Sequence, residues 1–587
     1  MESNLPHLDA EAAVAGRAMR EWRPWRASPA VVLLAAILLV LIVPPTLFLI
    51  NASIHTTKVD GSFDQLTLRY YGGLFTNPHF AGSLLNTLVY AFGSSIIALA
   101  LGVVQALIVE RTNTPGRGYV FLGAVISLGI PHVLYVVAWL LLLGRSGPVN
   151  AAIDVVLGAG PDGPVLDVHS MWGMILIEGF GFAPLAFLLM SAVLRSADAS
   201  MEEAAIMSGA GLLKTFRAIT LRLSAPGLAA VLLLFFIRAV ESFEVPALVG
   251  LAGNVTVLTT SIFQSERSVS PPSQGEAAAY SVCLLLIVAL LLWWYGRLAR
   301  HAHRYQTITG KGYRARLVDL GRARYFTALL LLLIFALAIV LPVAMLAFTS
   351  LQPFYEGPSA DSLARLTLDN YRTVLEPGSF RDAVANTLVL GAATATLVVP
   401  LTAICAWLAA RRWRGAWLLD QLATAPLVFP ALVMSVAFLN VFVNLPLPLY
   451  GTLLSIVIAS VVRHLPYGMR YAYAGVLQIH AELEEAAVAA GAGPSRVFVR
   501  VVLPLIAAAL VSCWLFVFLL TVQSVALPLL LAGPGTELVA VTLFDLWQNG
   551  QVTELAAMGV LWLAFATAVG ACFHVITRRY RVLLEGQ

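Results

Sequence analysis

The sequence predicts an all-α, polytopic membrane protein whose roughly twelve transmembrane helices form two parallel six-helix repeats. The composition is the first observation: 59% of the 587 residues are hydrophobic and only 12% are charged, about half the charged share of a soluble domain. Apolar runs of about 20 residues, the length that crosses a bilayer core, recur along the chain. Short motifs recur about 300 residues apart. Together these observations exclude a soluble enzyme and a disordered chain.

Twelve apolar runs are long enough to span a bilayer as helices that rise about 1.5 Å per residue. In the first half they lie near residues 30–50, 82–109, 119–143, 171–193, 226–250 and 277–296. In the second half they lie near 325–349, 383–410, 418–443, 451–477, 505–532 and 555–576. The first run lacks a small-residue cleavage site, so we expect it to remain as a helix. The four cysteines are dispersed among the runs, which predicts neither a disulfide framework nor a zinc site.

Basic residues in the connections predict the orientation of the chain. Alternate connections, which include both termini, carry 26 Arg and Lys residues, whereas the opposite set carries seven. Because cytoplasmic loops are enriched in Arg and Lys, we expect both termini to be cytoplasmic.

The chain repeats itself. Asn86-Thr87-Leu88-Val89 recurs as Asn386-Thr387-Leu388-Val389, and the later Pro246 recurs as Pro528. Each half has six predicted spans, so both halves start on the same side and are related by an axis along the membrane normal. The predicted organisation is a cytoplasmic N-terminal segment (1–29), a first membrane domain (30–296), a basic cytoplasmic linker (297–324), a second membrane domain (325–577) and a cytoplasmic tail (578–587).

A duplicated polar loop carries the strongest functional signal. The first loop motif contains Glu202, Glu203, Ala204, Ala205, Gly209 and Gly211, and the second contains Glu484, Glu485, Ala486, Ala487, Gly491 and Gly493. Acidic residues favour the start of a short helix, and glycine permits the left-handed conformation that ends one. Phe216, Ile219 and Leu223 then fall on one face of a second short helix. Such a helix–turn–helix at the membrane surface is typical of a docking element.

The two loop motifs resemble the coupling loop of type I ABC importer permeases, which have the MetI-like permease fold. The matching residues are Glu203, Gly209, Ile219 and Leu221 in the first copy, and Glu485, Gly491, Val501, Leu503 and Pro504 in the second. The first copy departs from the family at Arg222, where the family usually has proline. The resemblance extends over nearly the whole chain.

In that family the loop sits in a cleft of an ATP-binding subunit and transmits nucleotide-driven closure to the membrane helices. The chain has no Gly-x-x-x-x-Gly-Lys-Ser/Thr sequence to cradle ATP phosphates, so ATP would be bound and hydrolysed by a partner. The resemblance implies a bacterial inner-membrane subunit that is not itself an enzyme and holds no cofactor. Its implied partners are two copies of an ABC ATPase, an external substrate-binding protein and the lipid bilayer, with no nucleic acid.

The fused arrangement resembles the ferric iron, thiamine and phosphonate branch of these importers. Two stretches, Glu241–Gly250 and Gly533–Glu537, favour ferric iron. Thiamine, phosphonate, polyamine or sugar phosphate are the alternatives within this type of importer. A secondary transporter with parallel repeats is the alternative of another class. A membrane enzyme is disfavoured because neither His-Glu-x-x-His nor Gly-x-Ser-x-Gly occurs.

Ionisable residues inside predicted spans indicate where a polar path runs, because such residues usually face the bundle interior or water. Arg238, Glu241 and Glu244 lie at i, i+3 and i+6 of the fifth span, and the first two can touch along one helix face. The second-half equivalents of Arg238 and Glu241 are Leu520 and Gln523, so the lining would be asymmetric. A translocation path and an internal ion pair that stabilises the bundle remain open alternatives.

A ferric site built from His132, His464, Glu241 and Glu244 is a further hypothesis. The spacing of these residues gives no ligand cluster, and an isolated histidine is more often hydrogen-bonded structure. We therefore predict no metal site in this chain.

Overall fold

The computed structural model describes residues 29–57, 63–157, 166–196, 200–267, 274–302, 317–376, 380–445 and 448–585. The predicted N-terminal segment lies almost entirely outside these residues, as does much of the predicted linker. The described residues are overwhelmingly helical and include one two-stranded antiparallel sheet, β1 (His55–Thr57) and β2 (Phe63–Leu66). The all-α class is confirmed.

The described part of the first half contains twelve helices. They are α1 (Pro29–Ser53), α2 (Arg69–Thr76), α3 (Pro78–Arg111), α4 (Arg117–Ser127), α5 (His132–Leu143), α6 (Pro148–Leu157), α7 (Met171–Ser196), α8 (Ser200–Met207), α9 (Leu212–Thr215), α10 (Leu221–Glu241), α11 (Leu258–Arg267) and α12 (Gln274–Ala302). Single π-helical turns, Phe216–Thr220 and Pro246–Gly250, and a 3₁₀ turn, Leu251–Gly253, lie among them.

The second half follows a similar order but has no counterpart of α6 among the described residues. Its helices are α13 (Ala323–Phe335), α14 (Leu341–Ser350), α15 (Ala360–Ala364), α16 (Asp369–Leu375), α17 (Phe380–Ala410), α18 (Trp417–Thr424), α19 (Ala431–Asn444), α20 (Leu453–Leu477), α21 (Ala481–Ala489), α22 (Pro494–Val497), α23 (Leu503–Val522), α24 (Val539–Gln548) and α25 (Val552–Glu585). Its π-helical turns are Ala336–Val340 and Phe498–Val502, and its 3₁₀ turns are Ala425–Val428 and Pro528–Leu530.

Fewer helices qualify as spans than the twelve predicted. In the described part of the chain nine helices are long and apolar enough to cross a bilayer, or eleven if each of two bent helix pairs is one span. The pair Pro246–Gly253 and Leu258–Arg267, bent by 82°, was not predicted as a separate span, since its first residues were assigned to the run 226–250. Helix α20 is missing from the nine because Arg463, His464 and Arg470 lower its hydropathy.

Prolines interrupt four of the predicted runs, including 418–443, which bends by 105° between Val428 and Ala431 around Pro430. The run 119–143 divides into α4 and α5 at Pro131, and the run 226–250 ends as a helix at Glu241. A continuing helix would need a backbone N–H at Pro246 to donate to the carbonyl of Ser242, and proline has none. That carbonyl accepts a hydrogen bond from Thr259 Oγ1 at 2.8 Å instead. In the second half α23 ends at Val522, ahead of Pro528.

The repeated Asn-Thr-Leu-Val motif has the same structural role in both halves. Thr87 Oγ1 accepts the backbone N–H of Leu258 at 2.9 Å, and Thr387 Oγ1 accepts that of Val539 at 3.0 Å. Each threonine therefore satisfies a free backbone donor at the start of a short helix, α11 or α24. The duplication is thus conserved in tertiary contacts as well as in sequence.

The two halves are interlocked. Helix α1 packs against α18 and α19 of the second half, and α14 packs against α5 of the first. Helices α5 and α19 form the centre of the core, where eleven residues of each are buried. The first span of each half, α1 or α14, therefore packs against helices of the other half.

The end of the linker is attached to the first half. Thr112 and Val318 form an isolated β-bridge, and Asn113 Nδ2 donates to Asp319 Oδ1 at 2.6 Å. The backbone N–H of Gly321 also donates to this carboxylate, and these two bonds lower the pKa of Asp319. The linker thus ends beside the cytoplasmic end predicted for α3.

Candidate functional site

The first loop motif forms the predicted short helix and turn. Helix α8 carries Glu202 and Glu203 in its first turn. Gly209 follows with a φ of 82°, a conformation that glycine adopts without a steric penalty. The backbone N–H of Ala210 donates to the carbonyl of Ala205 at 3.0 Å and closes the end of the helix.

The second loop motif has the same geometry. Helix α21 carries Glu484 in its first turn, and Gly491 follows with a φ of 86°. The backbone N–H of Ala492 donates to the carbonyl of Ala487 at 3.0 Å. The predicted helix and glycine turn are therefore present twice.

The second helix of each motif differs from the prediction of a short surface helix. Backbone angles remain helical from α9 through the π-helical turn into α10, so the segment after Gly211 is the beginning of a span. The same holds from α22 into α23, where the π-helical turn 498–502 lies just ahead of Pro504. A wider turn accommodates a proline that cannot donate to the previous turn. The first motif has the same turn with Arg222 in place of the proline.

An arginine from an earlier long helix anchors each loop motif: Arg111 is the last residue of α3, and Arg411 directly follows α17. Arg111 Nε lies 2.9 Å from Glu202 Oε2, and Arg411 Nη2 lies 2.7 Å from Glu484 Oε1. Glu202 also accepts from Thr220 Oγ1 at 3.0 Å, whereas Glu484 accepts from Trp407 Nε1 at 2.9 Å. Both carboxylates are buried, so these contacts attach α8 to α3 and α21 to α17. Sequence reasoning missed this pairing, although both arginines align in the duplication.

The second glutamate and one apolar residue of each motif lie nearer the surface than Glu202 and Glu484 do. Glu485 is exposed, whereas Glu203 is half-buried and has a contact of its own. Met201 and Leu483 occupy equivalent positions, and their side chains are 53% and 51% exposed. Each motif therefore presents an apolar side chain beside an acidic residue at a surface.

Helix α10 ends at a contact between the two halves. Glu241 Oε2 lies 3.5 Å from Arg463 Nη2 of α20, and the same arginine donates to the carbonyl of Phe429. Gln523, at the equivalent position of the second half, donates from Nε2 to the carbonyl oxygen of Gly129 in the first half at 3.4 Å. The ends of α10 and α23 thus each contact the opposite half.

This arrangement corrects two expectations for the fifth span. Glu241 pairs with Arg463 rather than with Arg238, which forms no ion pair within 4.0 Å in the described part of the chain. Glu244 lies after the end of α10 at Ser242, so it does not share a helix with Arg238 at the i, i+6 spacing that the sequence suggested. The i, i+3 spacing allowed the Arg238–Glu241 contact but could not show the competing arginine from the other half.

The four residues of the hypothetical ferric site are not brought together. His132 Nδ1 lies 3.9 Å from Glu244 Oε2, but Glu241 pairs with Arg463. His464 Nδ1 lies 2.7 Å from the carbonyl of Ser460 in its own helix. Among the residues that the structure describes, no group of three or more His, Cys, Asp or Glu side chains has metal-binding geometry.

Two regions of the chain, 98–304 and 398–583, match one protein family, described as the binding-protein-dependent transport system inner membrane component. The chain belongs to this family. Because the domain occurs twice, the protein is a fused two-domain permease of the type I ABC class, and the resemblance noted in the sequence is confirmed. With its apolar helices, this makes it a multi-pass inner-membrane transport subunit.

Similar proteins include several named permeases. The permease is 25% identical to the ferric transport system permease protein FbpB of Actinobacillus pleuropneumoniae over 83% of this chain and 69% of that one. It is 26% identical to the putative ferric transport system permease protein FbpB 1 of Haemophilus influenzae over 80% of this chain and 72% of that one. A putative 2-aminoethylphosphonate permease protein PhnU of Salmonella paratyphi A is 30% identical over 40% of this chain and 82% of its own length.

Beside the Glu241–Arg463 contact the permease has an aromatic cluster that joins its halves. The ring centroids of Phe243 and Phe263 lie 5.2 Å apart, and Phe544 of the second half lies 5.8 Å from Phe243. All three side chains are buried. In this arrangement an apolar contact therefore closes the space between the halves next to the polar residues.

Proposed function

We propose that this permease imports ferric iron with energy from a separate ABC ATPase that docks on its two loop motifs. The observation that carries the proposal is the pair of arginine-anchored motifs, each continuous with a helix that ends between the halves. Exposed Met201 and Leu483 would enter clefts on two ATPase copies, and Glu203 and Glu485 lie next to them. One chain therefore supplies both docking positions.

Helix geometry supports a mechanical connection between docking and the path. The helical segment Leu212–Glu241 is about 45 Å long at 1.5 Å per residue, and its far end carries Glu241. Its counterpart begins at Pro494 and ends at Val522, next to Gln523. Closure of the ATPase pair would move both helical segments, separate the contacts at Glu241 and Gln523, and open the path toward an external binding protein. Hydrolysis would restore the arrangement described here.

The orientation and the domain boundaries belong to the same proposal. With 26 basic residues on one side and seven on the other, both termini and both loop motifs would face the cytoplasm. The two permease domains would occupy 30–296 and 325–577, joined by the linker 297–324.

The named relatives support ferric iron as the cargo. Two of the similar proteins are named as ferric transport permeases and align with about four-fifths of this chain. Arg238, Glu241, Glu244 and Gln523 would line the path. Because arginines accompany the carboxylates, these charges do not select a cation, and we assign selectivity to the external binding protein.

Uptake of labelled ferric iron by cells with and without this gene tests the proposal. Thiamine and an aminophosphonate serve as parallel tracers, and removal of ATP is the second variable. Loss of ATP-dependent iron uptake alone is the expected result. Unchanged iron uptake with loss of another tracer would overturn the choice of cargo, and uptake that survives ATP removal would favour a secondary transporter.

A further inference from the structure

A histidine in the first half lies between two carboxylates from different parts of the fold. His132 Nε2, at the start of α5, lies 3.4 Å from Glu178 Oε2 on α7. His132 Nδ1 lies 3.9 Å from Glu244 Oε2, just beyond the end of α10. We call these three residues the imidazole site.

The two contacts constrain the charge state of the ring. A neutral imidazole carries one N–H, so one of its nitrogens would turn a lone pair toward a carboxylate oxygen. Only the imidazolium form has a proton on each nitrogen and can donate toward both carboxylates. His132 Nε2 has no hydrogen-bond partner in the described part of the chain, so both contacts are charge–charge contacts, and these favour a ring that has bound an additional proton.

The site is partly enclosed, since the side chains of His132 and Glu244 are 31% and 17% exposed, and its polar atoms have few other partners. The Glu178 side chain is 1% exposed, and neither of its oxygens has a hydrogen-bond partner in the described part of the chain. The Tyr135 hydroxyl and Trp139 Nε1 nearby are also buried without a partner there. A buried carboxylate without a compensating charge is strongly unfavourable. An imidazolium supplies that charge at the closest polar group.

Two carboxylates depend on His132 for a cationic partner. Glu178 and Glu244 form no other ion pair in the described part of the chain, whereas Glu241 is paired with Arg463. The imidazolium of His132 supplies a positive charge to both carboxylates of the site, and Arg238 is the further cation that faces the ring. The other ionisable groups around these residues are Tyr90, Tyr135, Tyr467 and His464. His464 Nδ1 is hydrogen-bonded to the carbonyl oxygen of Ser460.

Only the first half has this site. By the offsets of the duplication, His132, Glu178 and Glu244 correspond to Ala431, Ser460 and Ala526. None of these can titrate near neutral pH. The site is therefore not a structural requirement of the repeated fold.

We propose that the imidazole site is a proton-binding site that holds His132 as imidazolium. The bound proton links α5, α7 and the segment after α10. It therefore stabilises the packing of these three segments below the pH at which the ring loses it, and this stabilisation disappears as the pH rises. The inference goes beyond cargo and ATPase, and it holds for any substrate.

Nitrogen NMR of the permease labelled with ¹⁵N-histidine in lipid nanodiscs tests the proposal directly. The resonance absent from His132→Gln identifies the ring among the ten histidines of the chain. At pH 7 we expect both of its nitrogens to show the imidazolium pattern. Glu178→Gln should convert the ring to the neutral pattern at the same pH, and Glu244→Gln should do so partially because its contact is longer.

Glu110→Gln is the matched control, because Glu110 pairs with Arg195 at 2.8 Å away from the imidazole site. It should leave the His132 pattern unchanged. A neutral ring in the wild-type protein at pH 7, or an unchanged imidazolium in a folded Glu178→Gln variant, would overturn the proposal. The measurement needs neither cargo nor ATPase, so it can fail or succeed independently of the proposed transport function.

Discussion

Glu484→Ala tests the internal anchor of the second loop motif separately from the residues that the motif exposes. The substitution removes the only carboxylate that Arg411 contacts in the described part of the chain, and it also removes the acceptor of Trp407 Nε1. The Arg411 and Glu484 side chains are 16% and 4% exposed, so the arginine is left largely desolvated. Removal of one partner of such a pair costs about 3–5 kcal/mol. We expect about 3 kcal/mol, because Arg411 keeps the carbonyl of Ile479 at 3.0 Å.

A loss of about 3 kcal/mol in the local opening free energy corresponds to about 150-fold faster amide exchange. Hydrogen exchange measured by mass spectrometry on the peptide that contains α21 reads this directly. The exchange of peptides from α19, which is deeply buried and not attached through Glu484, should stay unchanged. Transport should fall together with the protection of α21.

Glu485→Ala is the control, since Glu485 is exposed. It should lower ATP-driven uptake without changing the exchange of α21 or membrane insertion. Unchanged protection of α21 in Glu484→Ala would refute the anchoring argument. Undiminished transport in Glu485→Ala would refute the docking role.

Three further predictions test the packing, the glycine turn and the symmetry of the two motifs. Gly102→Ala would place a Cβ 2.6 Å from Ala186 Cβ, so it should lower the melting temperature through overpacking that costs about 1–3 kcal/mol. Gly82→Ala in the same helix is the control, because a Cβ at Gly82 would have no atom within 4 Å. Equal melting temperatures of the two variants would contradict the close α3–α7 contact. Gly491→Ala forces a φ of 86° on a residue with a Cβ, at a cost of about 1–2 kcal/mol, and reduced uptake by a fully inserted protein is the expected readout. Because Arg222 replaces the family's proline, Glu485→Ala and Gly491→Pro should impair uptake more than Glu203→Ala and Gly209→Pro, and equal losses would remove this idea.

The architecture was predictable because a bilayer imposes a local rule. About 20 apolar residues suffice to indicate a span, and the duplicated motifs indicated the repeats without any long-range information. The helix break at Ser242 was also readable in principle, because Pro246 lies four residues later and cannot donate. The predicted run nevertheless continued to residue 250, because hydropathy reflects side-chain polarity and not whether the backbone can continue a helix.

Contacts across the halves were not predictable from one sequence. Glu241 and Arg463 are 222 residues apart, and nothing local distinguishes this pairing from the nearer Arg238. The anchors Arg111 and Arg411 were closer to prediction, because both recur in the duplication with the glutamates they contact. Helical spacing alone could not show that Glu202 and Glu484 face inward while Glu485 faces outward.

The most direct test of the central claim is uptake by proteoliposomes that contain this permease, its ABC ATPase and the external binding protein loaded with labelled ferric iron. Accumulation that requires ATP in the ATPase compartment, and that is lowered by Glu485→Ala while the complex remains inserted, is the predicted result. Accumulation that continues without ATP, or that is unaffected by substitution in either loop motif, would contradict the proposal that ATPase docking on the loop motifs drives the path.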